Sequence, residues 1–226
     1  MGRSVTLDIG SGKTALGYLV EAADPNAPGI VVIQEWWGVQ GQIRGVCERY
    51  AAAGFTAIAP DLYAGKVIPY HDEESAGQAM NALDFLAATD EIAGAAVKYL
   101  RTGGRKVGLT GFCLGGVVSI LGAIRLADID AASAYYGAPD DALDDAAKVR
   151  GPIQAHFANG DDWCTPADAD RMERKFKESG AHHRVFRYPC QHGFANEDAK
   201  EYDKSAAESA WSRDLEWWNT HLRDSA

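Results

Sequence analysis

The stretch Lys106-Val107-Gly108-Leu109-Thr110-Gly111-Phe112-Cys113-Leu114-Gly115-Gly116 decides how the rest of the chain is read. A short β-rich run enters a glycine-x-cysteine-x-glycine turn, and a helical pattern over Val117 to Leu126 follows at once. A strand-to-helix turn this sharp forces its central residue into a strained backbone conformation, and a glycine two positions away on each side keeps neighbouring chain from colliding with it. The Cys113 side chain is thereby pushed outward. At the N-terminus of the following helix the dipole favours the thiolate, the reactive form of cysteine. The competing reading makes Cys113 a buried structural cysteine in a glycine-rich turn, on a protein that binds without catalysing.

Outward from this turn, β-rich runs alternate with segments of helical composition. Candidate strands are Thr6 to Ile9, Leu16 to Val20, Ile30 to Gln34, Phe55 to Pro60, Lys106 to Thr110, Ala131 to Tyr136, Ile153 to Phe157 and Arg184 to Tyr188. Candidate helices are Val39 to Ala53, Ala76 to Leu100, Val117 to Leu126, Ala167 to Ser179 and Ala206 to His221. The alternation predicts an α/β fold, a mostly parallel central sheet flanked by helices on both faces, after an N-terminal antiparallel hairpin turned at Gly10-Ser11-Gly12-Lys13. In such sheets ligands sit in the crevice beyond the C-terminal strand ends, so polar residues there are the ones to inspect. Trp211, Trp217 and Trp218 form a helical stripe that reads as core.

The 226 residues, 46% hydrophobic and 24% charged, suit a single domain over 1–226. With 32 acidic against 22 basic residues the formal charge is −10, which repels phosphate backbones and anionic lipid. Neither a nucleic acid nor a membrane is expected as partner. The N-terminus carries no apolar run of signal-peptide type, and no stretch reaches the roughly 20 apolar residues of a membrane span, so a cytoplasmic protein is expected. Cys47, Cys113, Cys164 and Cys190 are widely spaced, without the pairs of a zinc knuckle or a disulfide framework. No metal and no cofactor are expected, and the partner is a small molecule met by a monomer or small homo-oligomer.

The elbow and the strand order resemble the α/β-hydrolase fold, in which an acid after a late strand and then a histidine follow the nucleophile along the chain. After Ile153 to Phe157 comes Ala158-Asn159-Gly160-Asp161-Asp162-Trp163-Cys164-Thr165-Pro166, with two adjacent carboxylates. Asp162 is chosen over Asp161 because the acid in this loop usually lies four residues before the proline that opens the next helix. After Arg184 to Tyr188 comes Pro189-Cys190-Gln191-His192-Gly193-Phe194, where the glycine lets the loop bend His192 toward Cys113. His192 would hold the thiol proton and return it to the leaving group, while Asp162 fixes its tautomer. His156 reads as a sheet-face residue, and His182 and His183 lie in a polar turn. Glu35-Trp36-Trp37-Gly38 follows the strand Ile30 to Gln34, where these folds place the second oxyanion donor. The backbone N–H groups of Trp36 and Leu114 are the candidate pair.

Together, Gln34 to Gly38, Gly111 to Gly116, Tyr135-Tyr136-Gly137, Gly160-Asp161-Asp162 and His192-Gly193-Phe194 resemble the dienelactone hydrolase (carboxymethylenebutenolidase) family, over about Leu16 to Leu222. The resemblance implies a cofactor-free cysteine hydrolase that opens enol lactones through an acyl-enzyme, with Glu35 giving the nucleophile its thiolate character. The family's best studied members hold a substrate carboxylate with arginines, one of them four residues past the histidine, where this chain has Asn196. A second would precede the helix ending near Leu100, but Lys66 and Lys98 are the only basic residues between Gly65 and Arg101. A pocket of Trp36, Trp37, Phe112, Tyr135, Phe194, Asn196 and Tyr63 would then favour a flatter, less charged acyl group. Thioesterase or other acyl-hydrolase chemistry is the runner-up. The loop Tyr63 to Ser75 is placed to shape the pocket entrance.

Overall fold

The computed structural model describes residues 2–141, 143, 145–149 and 151–223. Its centre is an eight-stranded sheet of β1 (Arg3–Gly10), β2 (Lys13–Val20), β3 (Gly29–Ile33), β4 (Thr56–Pro60), β5 (Val107–Phe112), β6 (Ala131–Tyr135), β7 (Ile153–Ala158) and β8 (His183–Tyr188). The strand order is β1-β2-β4-β3-β5-β6-β7-β8. β1 and β2 form the expected antiparallel hairpin, and β2 runs antiparallel to β4. From β4 to β8 every pairing is parallel.

The parallel strands are buried on both faces, which is why they read as continuous apolar runs rather than alternating ones. β3 shows the division: Ile30 and Val32 point to one side, Val31 and Ile33 to the other, all four fully buried. On the first side Ile30 and Val32 meet α1 (Gly41–Ala52) and a long C-terminal helix over Lys204–Leu222. The helix over Glu73–Asn81 is α2, short and at the surface. On the second side lie α3 (Phe85–Ala87), α4 (Gly94–Arg101), α5 (Leu114–Arg125) and α6 (Pro166–Ser179). The helix over Lys204–Leu222 is therefore α7.

One expected helix divides. Between Ala76 and Leu100 the chain leaves α2 at Ala82, and Asp84 takes an extended conformation, its carboxylate accepting the N–H groups of Leu86 and Ala87 at 3.0 Å each. An aspartate that caps a helix start competes with helix continuation, so Asp84 ends one helix and begins another. The new helix widens into a π-helical turn over Ala88–Ala93 before α4.

α7 closes the first face. Trp217 and Trp218 are fully buried, Trp211 packs on Tyr50, and Asp214 is driven into the core with no exposure. Asp214 accepts from Tyr50 Oη (2.5 Å), Ser133 Oγ (2.6 Å) and Gln154 Nε2 (2.6 Å), tying α1, β6 and β7 to one carboxylate. Burial pushes this carboxyl up, but the hydrogen bonds from His156, Ser133 and Tyr50 outweigh it and hold Asp214 below the usual range. His156, as expected of a sheet-face residue, is buried, with Nδ1 2.8 Å from Tyr188 Oη and Nε2 3.5 Å from Asp214. Among the described residues no helix is long and apolar enough to cross a membrane.

Candidate active site

Sheet register alone brings the site together. β3 and β5 pair Ile33 with Gly111, and β5 and β6 pair Phe112 with Tyr135. Two residues beyond Ile33 and Gly111, Glu35 and Cys113 therefore leave adjacent strands at the same level, with Tyr136 beside Cys113 on the next. Trp36 and Leu114 are one residue further along, level with each other. The Leu114 N–H sits in the first turn of α5, where backbone donors have no intrahelical acceptor.

The elbow is strained. Cys113 has φ 58° and ψ −118°, a region that L-residues avoid. The turn is packed so closely that a Cβ on Gly115 would lie 2.6 Å from the Ile33 carbonyl oxygen and 2.7 Å from that of Gln34. Only glycine fits there. Tyr136, at φ 36°, is a second residue held in the left-handed region.

His192 reaches the site on the loop after β8, and its imidazole is within hydrogen-bonding reach of the Cys113 thiol. Its Nδ1 lies 2.8 Å from Oδ2 of Asp161. This corrects the choice between the paired carboxylates. Asp161 is buried, and its Oδ1 accepts the N–H groups of Trp163 (2.8 Å) and Cys164 (2.9 Å), a clamp that turns Oδ2 to the histidine. Asp162 is exposed and faces the cavity instead. Burial would lower the His192 pKa, but the neighbouring Cys113 sulfur and the Asp161 carboxylate outweigh it and raise it to about 10.

The other thiols are held neutral. Burial pushes Cys47 and Cys164 far up and Cys190 up to about 12. Glu35 is buried, with Oε1 accepting from Tyr136 Oη (2.9 Å) and Oε2 from Asn196 Nδ2 (2.6 Å). Its burial raises the carboxyl pKa against the opposing pull of those two donors and of His192.

In front of Cys113 lies a cavity of about 510 Å³, a size typical of small-molecule sites. Trp36, Trp37, Tyr70, Trp163, Gln191, His192 and Gly193 line it, with Glu35 at its floor. Tyr70 comes from the loop expected at the entrance, and that loop is tied down: Ile68 N–H donates to the Trp37 carbonyl (2.9 Å) and Gln40 Nε2 to that of Ile68 (2.6 Å). A smaller cleft of about 130 Å³ lies away from these residues, between the end of α5 and Pro152.

Five residues expected to line the pocket do not. Phe112, Tyr135 and Phe194 are buried behind the site, where Phe112 and Phe194 both pack against Tyr135. Asn196 is fully buried and spent on Glu35. Tyr63 lies outside the lining too, its hydroxyl buried with no hydrogen-bond partner among the described residues. The sequence reading weighed Asp161 and passed it over for its neighbour, and it missed Trp163, Tyr70 and the Tyr136 hydroxyl. Among the described residues no group of three His, Cys, Asp or Glu side chains converges as a metal site would.

The sheet order, the strained residue between β5 and α5, and the late acid and histidine are those of the α/β-hydrolase fold. Residues 16–222 match the dienelactone hydrolase family, and the chain belongs to it. It is 33% identical to protein usf of Aquifex pyrophilus, over 94% of this chain and 96% of that one. It is 32% identical to a protein of Synechocystis provisionally named carboxymethylenebutenolidase, over 92% of each. The crystal structure of a provisionally assigned dienelactone hydrolase from Klebsiella pneumoniae superposes with a TM-score of 0.84 at 25% identity, covering 98% of this chain and all of the other.

Proposed function

We propose that this hydrolase cleaves small carboxylic esters or lactones through an acyl-enzyme on Cys113. The observation that carries the reading is the His192 imidazole placed between the Cys113 thiol and the buried Asp161 carboxylate, at the floor of an open cavity. Glu35, one strand over, draws the thiol proton, and the helix N-terminus and His192 stabilise the resulting thiolate. The sulfur attacks the acyl carbon, and the carbonyl oxygen becomes an oxyanion between the N–H groups of Trp36 and Leu114. As the tetrahedral adduct collapses, the C–O bond breaks and His192 gives its proton to the alkoxide. In a lactone that alkoxide stays tethered to the acyl chain. A water, deprotonated by His192, then attacks the thioester, and the acid leaves as Cys113 is regenerated. Asp161 keeps the imidazole in the tautomer whose Nε2 faces the sulfur.

The test is Cys113→Ala with phenyl acetate and a simple enol lactone. Turnover falls by at least about 10³-fold while the melting temperature holds, and a mass increment equal to the acyl group is trapped on the wild-type protein after acid quench. Activity retained in this variant overturns the proposal.

A further inference from the structure

The cavity wall and its rim differ in chemistry. Trp163, Trp36, Trp37 and Tyr70 form a continuous aromatic wall, each ring edge-on to the next at centroid separations of 5.3, 4.8 and 5.2 Å. Trp163 is 64% exposed, a large ring that neither the core nor a neighbouring element covers. It is held over the cavity by the same loop that clamps Asp161. The rim is acidic: Glu73, Asp162, Asp198 and Glu201 surround the opening. Lys200 is the one ammonium among the lining residues, already 3.4 Å from Glu201, and His71 is the remaining titratable side chain there. No arginine lines the cavity among the described residues.

Resting on the ester-hydrolase reading, we infer that the substrate carries an aromatic acyl group that is neutral or positively charged, and that anionic esters are disfavoured. Electron-rich ring faces attract cations and pack flat apolar groups, but they offer no donor to a carboxylate. The rim adds four carboxylates against one ammonium, a net of three negative charges. At about 10 Å in a water-like dielectric these change the encounter of a monovalent ion by roughly tenfold, with opposite sign for cation and anion.

The experiment uses phenyl esters of three para-substituted phenylacetic acids, bearing trimethylammonium, tert-butyl and carboxylate groups. The first two are nearly isosteric, and all share one leaving group. At low ionic strength kcat/KM, corrected for each ester's rate with hydroxide, falls in the order cation, neutral, anion. The cation-to-anion ratio is at least about tenfold and narrows as salt screens the rim. Glu73→Gln combined with Glu201→Gln narrows that ratio at low salt. Trp163→Ala lowers kcat/KM for the tert-butyl ester more than for phenyl acetate. If the carboxylated ester is turned over as fast as the cationic one at low salt, or Trp163→Ala affects both neutral esters equally, this inference falls and the ester-hydrolase reading stands. If none of the esters, phenyl acetate included, is hydrolysed, both fall.

Discussion

Replacing Asp161 with asparagine is the sharpest test of how the site is wired. Asp161 makes three short hydrogen bonds with no solvent exposure of its side chain: two N–H groups on Oδ1 and the His192 ring on Oδ2. An asparagine carbonyl can take over Oδ1, leaving its NH₂ group facing His192 Nδ1. A donor meeting Nδ1 turns that nitrogen into an acceptor and moves the ring proton to Nε2, the atom that must take the proton of the attacking water. In serine triads this tautomer error costs about 10⁴ in kcat. A thiol needs less help than a hydroxyl, so the expected loss here is about 10²–10⁴-fold, or roughly 3–5 kcal/mol of barrier. Asp162→Asn, at the exposed neighbour, changes turnover of a neutral ester by no more than about threefold. Steady-state kinetics on both variants, with circular dichroism melts to verify folding, decide the matter. A large loss in Asp162→Asn with normal turnover in Asp161→Asn would refute the assignment.

Three further expectations follow from the same geometry. Because the Cys113 sulfur and Asp161 raise His192 to about 10, its proton is present below that pH and lost above it, so kcat/KM falls on an alkaline limb near pH 10. Asp161→Asn removes one of the raising partners and moves that limb to lower pH in the residual activity, whereas an unmoved limb would assign it to another group. Gly115→Ala forces a methyl against the carbonyls of Ile33 and Gln34, costing about 1–3 kcal/mol in urea denaturation and disturbing the Trp36 N–H, so activity falls more than stability alone explains. Tyr136→Phe removes one of the two donors to Glu35, so that burial raises the Glu35 pKa further and makes it the stronger proton acceptor; the rate of Cys113 alkylation by iodoacetamide at neutral pH rises several-fold, and an unchanged or lower rate argues against Glu35 as the base that draws the thiol proton.

Much of the architecture was legible because its signals are local. Each strand is a short apolar or β-branched run closed by turn residues, and the elbow announces itself through Gly111 and Gly115, whose reason is the contact of a single absent Cβ with backbone. The loops that carry Cys113, the paired aspartates and His192 were readable for the same reason, each following a strand that the sequence marks. The choice between Asp161 and Asp162 was not: adjacent side chains on a tight loop point opposite ways, and what selects Asp161 is the pair of N–H groups from Trp163 and Cys164, invisible until the loop is folded. The break at Asp84 did carry a signal, an aspartate before Phe85-Leu86 that matches a helix N-cap, overridden in the reading by the helical composition around it. Phe112, Tyr135 and Phe194 were expected in the pocket because they border its motifs. Sequence adjacency to a motif says nothing about which side of a strand faces solvent, and these three point into the core.

The carboxylate of Asp214 bears on how the chain acquires this structure. Tyr50, Ser133 and Gln154 are contributed by segments up to 164 residues earlier in the chain, yet the acceptor they share arrives only with α7. A nascent polypeptide that had emerged only as far as β8 would hold three polar side chains facing an unfilled seam in its largest apolar layer. Cooperative closure of this face must therefore wait for α7 to be released from the ribosome, and a truncation before Asp203 should yield a species that binds chaperones rather than a smaller folded hydrolase.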